Sequence, residues 1–132
     1  MTLKTKRFLI VDDDPINNFL TKTVLKKLFE DICVNDFTVP EDGLEFIKSA
    51  ANHNTNAEKT ILFLDINMPT LTGWQFLEAF KLFDESIRNQ YNIYILSSSI
   101  NHNDINMAKE HLLILDFIEK PLNKAKLVNI LS

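Results

Sequence analysis

Acidic residues follow two short apolar runs of this sequence. Asp12 and Asp13 come directly after the run at 8–11, and Asp65 comes directly after the run at 61–64. If these runs are neighbouring strands, the three carboxylates converge, and they repel one another unless a cation relieves them. Such hard oxygen ligands favour Mg²⁺ or Mn²⁺, and Mg²⁺ usually binds one or two carboxylates together with a phosphate oxygen. The pattern therefore predicts metal-assisted phosphoryl chemistry.

Each acid at the end of the first run also has a plainer interpretation. For Asp14 this is the better one, because an aspartate followed by Pro15 is typical of a helix N-cap and first helical position. Asp12 and Asp13 could be solvated loop acids. Adjacent acids directly after a buried strand are costly without a purpose, however, so a functional role is favoured for these two.

Strands must position these acids, and three nearly uninterrupted apolar runs are typical of central strands in a parallel sheet covered on both faces. They lie at 8–11, 61–64 and 93–96. Two weaker runs are predicted to be edge strands. The run at 32–39 alternates imperfectly, and the run at 115–118 is short and contains Asp116.

Helices are predicted in the segments between the strands. The first follows Asp14 and has an apolar stripe; the others are expected at about 41–51, after Thr72, and at about 103–111 and 123–131. Alternating strands and helices imply one parallel sheet with helices on both faces, which is an α/β fold of three layers. The stripe of the first helix consists of Ile16, Phe19, Leu20, Val24, Leu25 and Leu28.

Composition and charge exclude several classes of protein. The 132 residues, 45% apolar and 24% charged, are expected to fold as a single domain over 1–132 with no output domain. A net charge of -4 argues against direct nucleic-acid binding. Cys33 is the single cysteine, which fits a reducing, cytoplasmic setting. The apolar run at 8–11 is too short for membrane insertion.

Four motifs of the chain resemble the response-regulator receiver domain of two-component signalling. They occur in the order that the family has, at compatible spacings, and the resemblance covers essentially the whole chain. The resemblance implies a flavodoxin-like three-layer sandwich with a five-stranded parallel sheet, order 2-1-3-4-5, and five helices. The motifs are FLIVDDDP at 8–15, LDINMP at 64–69 with Gly73, LSS at 96–98 and EKP at 119–121.

The resemblance implies a role for each site residue. Asp65 is the expected phosphoacceptor, which takes a phosphoryl group from a histidine kinase or a histidine phosphotransfer protein. Asp13 is expected to bind Mg²⁺ (or Mn²⁺) directly and Asp12 to hold a metal-bound water, while Asp65 and the backbone carbonyl of Asn67 complete the metal site. Lys120 is expected to reach a phosphate oxygen or, before phosphorylation, Asp65, and the family has a cis peptide bond after this lysine.

Two further positions correspond to switch residues of the family. Ser97 stands where a hydroxyl donates to the bound phosphoryl group, although Ser97, Ser98 and Ser99 could each simply cap the next helix. Phe117 stands at the family's switch aromatic position, where a tyrosine is commoner. Without a phenol hydroxyl its switching would be a packing change, and a permanent core position is an equal alternative.

The expected function is therefore a regulatory switch and not an enzyme, with the fourth strand, fourth helix, fifth strand and fifth helix as the readout face. One rival is a phosphatase of the haloacid-dehalogenase type. That class needs a second aspartate two residues after the nucleophile, where this chain has Asn67. Another rival is an interaction module that signals without phosphate, against which the intact site residues argue.

Overall fold

A computed structural model describes residues 6–50, 59–98 and 101–131 of the chain. Five strands in these ranges form one parallel sheet in the order β2-β1-β3-β4-β5. The predicted α/β class and strand order are confirmed. The strands are β1 (Lys6–Val11), β2 (Ile32–Phe37), β3 (Thr60–Leu64), β4 (Tyr91–Ser97) and β5 (Ile114–Glu119).

The described ranges contain six helices, where the sequence predicted five. The unpredicted one is α4, a single turn with no buried residue, which is too short to show an apolar stripe. The predicted fourth and fifth helices are therefore α5 and α6. None of the helices in these ranges has the length and apolar content to cross a bilayer. They are α1 (Pro15–Leu28), α2 (Pro40–Ala50), α3 (Gly73–Lys81), α4 (Glu85–Arg88), α5 (His102–Glu110) and α6 (Lys124–Leu131).

The hydrophobic core lies on both faces of the sheet, because successive side chains of a strand point to opposite faces. On one face, Leu9 and Leu62 pack in a cluster with buried residues of α2, α3 and α5. On the other face, Phe8 and Phe63 pack in a cluster that contains Leu25 of α1 and one residue of α6, Leu127. The central strands are covered on both sides, as their uninterrupted apolar runs predicted.

Side chains cap the starts of α1 and α3, and the predicted cap at Asp14 is confirmed. A carboxylate oxygen of Asp14 accepts a hydrogen bond from the backbone N–H of Ile16 at 3.0 Å. The hydroxyl of Thr72 accepts from the backbone N–H of Gln75 at 3.2 Å, and the side-chain oxygen of Gln75 accepts from the backbone N–H of Thr72 at 2.9 Å. These caps fix the starts of the helices that follow β1 and β3.

The predicted apolar stripe of α1 is wrong in its first half. The buried face of the helix contains Asn18, Thr21 and Leu25. The amide of Asn18 donates to the backbone carbonyl of Asp12 at 3.0 Å and fixes this polar side chain inward. The opposite face of the helix therefore points to solvent with three large apolar side chains, Ile16 (69% exposed), Phe19 (67%) and Leu20 (51%).

Candidate functional site

The strand ends place two of the predicted acids side by side. The backbone N–H of Asp65 donates to the carbonyl of Val11 at 2.9 Å, so the residue after β3 lies next to the end of β1. Asp12 is 2% exposed and Asp65 5% exposed, while Asp13 is nearer to solvent. One carboxylate oxygen from each of Asp12, Asp13 and Asp65 lies within 4.8 Å of the others. The predicted convergence of the three acids is confirmed.

Lys120 enters the same pocket from the end of β5. Ser97 pairs with Glu119 across β4 and β5, and the backbone N–H of Lys120 donates to the carbonyl of Ser97 at 2.8 Å. The ammonium of Lys120 lies 2.7 Å from Oδ2 of Asp12 and 3.5 Å from Oδ1 of Asp65, and its side chain is only 13% exposed. The peptide bond after Lys120 is cis, as the resemblance implied. The pocket therefore contains one cation among three acids.

The carboxylate of Asp12 is held by more partners than the sequence indicated. Its Oδ1 accepts from the backbone N–H of Asp14 at 3.0 Å, and its Oδ2 accepts from the side-chain amide of Asn17 at 2.6 Å as well as from Lys120. Sequence reasoning missed Asn17 and Asn18. Their signal was two adjacent amide side chains in the first turns of a helix that directly follows the site acids.

Burial makes Asp65 an unusual carboxyl group. Its pKa is raised from 3.8 to about 6, first because burial removes water from the carboxylate and second because the negative charge of Asp12 lies nearby. Lys120 opposes this shift through its positive charge and its hydrogen bond. The carboxylate is consequently more basic than that of an ordinary aspartate while still being mostly ionised at neutral pH. This is a property expected of a nucleophile.

The remaining predicted site residues lie around this pocket. Ser97 is buried at the end of β4, Ser98 is exposed, and Ser99 lies outside the described residues. Ser97 is thus buried beside Lys120, and its contact with a phosphoryl group stays a prediction. Asn67 is exposed, two residues after Asp65 in the loop toward α3. The metal-binding role of its carbonyl stays a prediction.

Gly73 closes the loop that follows Asp65. Its backbone N–H donates to the carbonyl of Ile66 at 2.8 Å. A Cβ at this position would lie 2.5 Å from the backbone oxygen of Asp65, which is closer than real Cβ atoms approach atoms to which they are not bonded. The first residue of α3 therefore contacts the backbone of Asp65 directly, and only glycine fits there.

Phe117 is half-buried and packs against the core cluster of the α3 face. It also lines a cavity of about 420 Å³ between α5 and β5, together with Ile105, Ala108 and Lys109. The side chain thus has core contacts and adjoining open space. Its switching role stays a prediction.

The fold and the pocket together define a flavodoxin-like α/β domain with an acidic site where the strand order reverses, which is the usual ligand position in such sheets. The family model of the response regulator receiver domain matches residues 8–132. The chain belongs to this family, whose members are regulatory switches of two-component signalling and not conventional enzymes.

Solved structures of receiver proteins resemble the chain over nearly its whole length. A two-component response regulator from Cytophaga hutchinsonii has 25% identity and a TM-score of 0.84, over 98% of this chain and 96% of that one. A receiver protein from Dyadobacter fermentans has 26% identity and a TM-score of 0.79, over 96% and 95%. A CheX-CheY complex with BeF3 and Mg from Borrelia burgdorferi, at 23% identity and a TM-score of 0.69 over 96% and 86%, shares the fold. Comparison with curated protein sequences found no match.

Proposed function

We propose that the chain acts as a single receiver domain, a phosphoacceptor switch of a two-component phosphorelay, and that Asp65 is the residue phosphorylated. The observation that carries the proposal is the position of Lys120. Its ammonium lies between Asp12 and Asp65 in a pocket where three carboxylates lie within 4.8 Å of one another. A largely buried lysine that lies beside the nucleophile can stabilise an incoming phosphoryl dianion, and a cation bound by the acids would offset their repulsion of it.

The proposed reaction is a displacement at phosphorus. A carboxylate oxygen of Asp65 attacks the phosphorus of a phosphohistidine, the phosphorus–nitrogen bond breaks, and its electron pair leaves with the imidazole. Lys120, already 3.5 Å from Asp65, would donate to an oxygen of the transferred group. The Ser97 hydroxyl would donate to another oxygen once the group is bound.

The donor set of the pocket fits a hard divalent cation, because three carboxylate oxygens in close proximity are the ligands that Mg²⁺ prefers. We propose that Asp12, Asp13, Asp65 and the backbone carbonyl of Asn67 hold Mg²⁺, with Mn²⁺ as the substitute of similar ligand preference. When bound, the cation would neutralise the negative charge that accumulates as phosphate oxygens approach the carboxylates.

The exposed face of α1 supports a protein as the phosphoryl donor. Ile16, Phe19 and Leu20 are more than half exposed at the end of the helix nearest the pocket. Neighbouring apolar side chains that point to solvent are typical of a protein-binding surface. We propose that a histidine kinase or a histidine phosphotransfer protein covers these residues when it presents its phosphohistidine to Asp65.

The readout face is proposed to be β4, α5, β5 and α6. One side chain already links the phosphoacceptor loop to α5: the indole N–H of Trp74, in the first turn of α3, donates to Asp104 at 3.1 Å. The indole also stacks on His111, the residue directly after α5, with ring centroids 6.4 Å apart. Converting a nearly all-off population to nearly all-on requires about 5.5 kcal/mol of differential interaction, to which the phosphoryl contacts of Ser97 and Lys120 would contribute.

The proposal is tested by incubating the chain with phosphoramidate and Mg²⁺ and measuring its intact mass. We expect one phosphoryl group on the wild type, none on Asp65→Asn, and none on the wild type when EDTA removes the metal. A phosphoryl group on Asp65→Asn as well as on the wild type would refute the site. Steady turnover of a generic phosphate monoester would instead favour the phosphatase alternative.

A further inference from the structure

We infer that Lys126 is a positioning residue, whose ammonium fixes the two carbonyls on either side of Lys120 and thereby aims Lys120 at the acidic pocket. The inference rests on the proposed function, since it concerns the residue expected to contact the phosphoryl group. Lys126 itself does not contact the carboxylates in this arrangement. It acts through the backbone of the segment 119–121.

The ammonium of Lys126 binds the residue before Lys120 and the residue after it. Its ammonium donates to the carbonyl of Glu119 at 2.6 Å and to the carbonyl of Pro121 at 3.1 Å. On the other side of the segment, the backbone N–H of Lys120 donates to the carbonyl of Ser97 at 2.8 Å. The backbone around Lys120 is therefore held from β4 and from α6 at once. Charge-assisted hydrogen bonds such as those of an ammonium are stronger than neutral ones.

Lys126 is itself fixed by its place in the helix. It is the third residue of α6, and its backbone N–H donates to the side-chain oxygen of Asn123 at 2.9 Å. Because this cap orients the first turn, the lysine stem starts from a defined point. Its ammonium can therefore hold the two carbonyls in one geometry.

The charge of Lys126 is unfavourable for the helix alone. Lys124 and Lys126 both lie in the first turn of α6, which lies wholly within the described residues and contains no acidic side chain. Cations near a helix N-terminus are disfavoured by the helix dipole. The two carbonyls give the charge of Lys126 a compensating environment. A role in orienting the segment 119–121 accounts for a lysine at a position where the helix would prefer an acid.

The experiment compares three variants. Lys126→Met keeps the apolar stem and removes the ammonium, Lys126→Arg keeps a cation that can donate to both carbonyls, and the matched control Lys124→Met removes one charge at an exposed position of the same helical turn. Two quantities are measured on each: the initial rate of phosphoryl uptake from phosphoramidate with Mg²⁺, and the rate at which trace acetic anhydride acetylates Lys120, read by peptide mass spectrometry.

We expect Lys126→Met to take up phosphoryl groups about tenfold more slowly, as misplacement of a group that contacts the reacting atoms does, and to acetylate Lys120 faster. Lys126→Arg and Lys124→Met should behave as the wild type in both assays. Equal behaviour of Lys126→Met and Lys124→Met would overturn the inference.

A third measurement distinguishes a role of Lys126 in orienting Lys120 from a general disruption of the acidic pocket. Mg²⁺ affinity, obtained from the Mg²⁺ dependence of the thermal unfolding midpoint, should not fall in Lys126→Met, because Lys120 competes with a cation for Asp12 and Asp65. A parallel loss of Mg²⁺ affinity would overturn the inference. If the wild type accepts no phosphoryl group, the proposed function fails, whereas Lys120 acetylation still decides the role of Lys126.

Discussion

The core and the pocket are built from the same strands but respond to burial in opposite ways. Along β1 and β3, residues such as Leu9 and Phe63 are almost fully buried, and their removal from water stabilises the folded state. One residue beyond each strand, Asp12 and Asp65 are also buried, and there burial raises the pKa of Asp65 to about 6. Buried charge opposes folding, so its presence at the strand ends indicates chemistry and not stability.

The largest effect is expected in the core. Phe63 is 1% exposed, and its ring lies 6.3 Å from that of Phe8 and 6.0 Å from that of Tyr94, between centroids. Phe63→Ala should lower the free energy of unfolding by about 3–5 kcal/mol, because the truncation leaves a cavity. Urea denaturation measures the loss. A change no larger than that of Phe19→Ala, the same truncation at an exposed site, would contradict the comparison.

In the pocket, a substitution is expected to raise the free energy of unfolding. Asp65→Asn removes a buried negative charge while Lys120 keeps Asp12 as its partner at 2.7 Å. Since the pKa of Asp65 rises from 3.8 to about 6, its ionised form opposes folding at neutral pH by on the order of 3 kcal/mol. The variant should therefore unfold at higher urea than the wild type at pH 7.5 in EDTA. A less stable variant would show that Asp65 serves the fold.

The pH dependence of stability tests the raised pKa of Asp65. A carboxyl whose pKa is higher in the folded state binds protons more tightly there, so its stabilising contribution is complete below pH 3.8 and is lost as pH rises through about 6. The stability advantage of Asp65→Asn over the wild type should shrink as pH falls from 7.5 toward 4.5 in EDTA. Urea titrations at several pH values measure this difference. A stability difference between the two proteins that stays constant across this pH range would contradict the raised pKa of Asp65.

The smallest stability effect is expected on α1. Phe19 is 67% exposed, so Phe19→Ala should change the free energy of unfolding by less than about 0.5 kcal/mol. If this face binds the phosphoryl donor, the variant should accept phosphoryl groups from phosphoramidate normally and from a phosphorylated histidine phosphotransfer protein more slowly. Rates with the two donors distinguish these effects. If the variant matches the wild type in its rate with phosphoramidate and also in its rate with the phosphotransfer protein, α1 is excluded from donor binding.

The sheet and the acid cluster could be predicted because both depend on short-range pattern. Uninterrupted apolar runs indicate strands buried on both faces, and acids directly after two of them must meet at one edge of a parallel sheet. Lys120 was identified through the family motif and not through periodicity, because no local pattern indicates that a lysine from β5 crosses to Asp12.

The errors arose where polar contacts override the apolar pattern. The apolar residues of α1 predicted one buried stripe, but the hydrogen bond from Asn18 to the carbonyl of Asp12 turns a polar face inward and exposes Phe19. The sequence made no prediction about the contact of Trp74 with Asp104, because that contact depends on tertiary packing between two helices. The departure in α1 lies next to the site, where local rules are expected to give way to function.

The position of the phosphoryl group tests the central claim most directly. After incubation with phosphoramidate and Mg²⁺, borohydride reduces an aspartyl phosphate to homoserine, and peptide mass spectrometry locates the converted residue. We expect homoserine at position 65 and unconverted aspartate at positions 12 and 13. Conversion at Asp12 or Asp13, or a stable phosphate on Ser97 with Asp65 unchanged, would contradict the assignment of Asp65 as the phosphoacceptor.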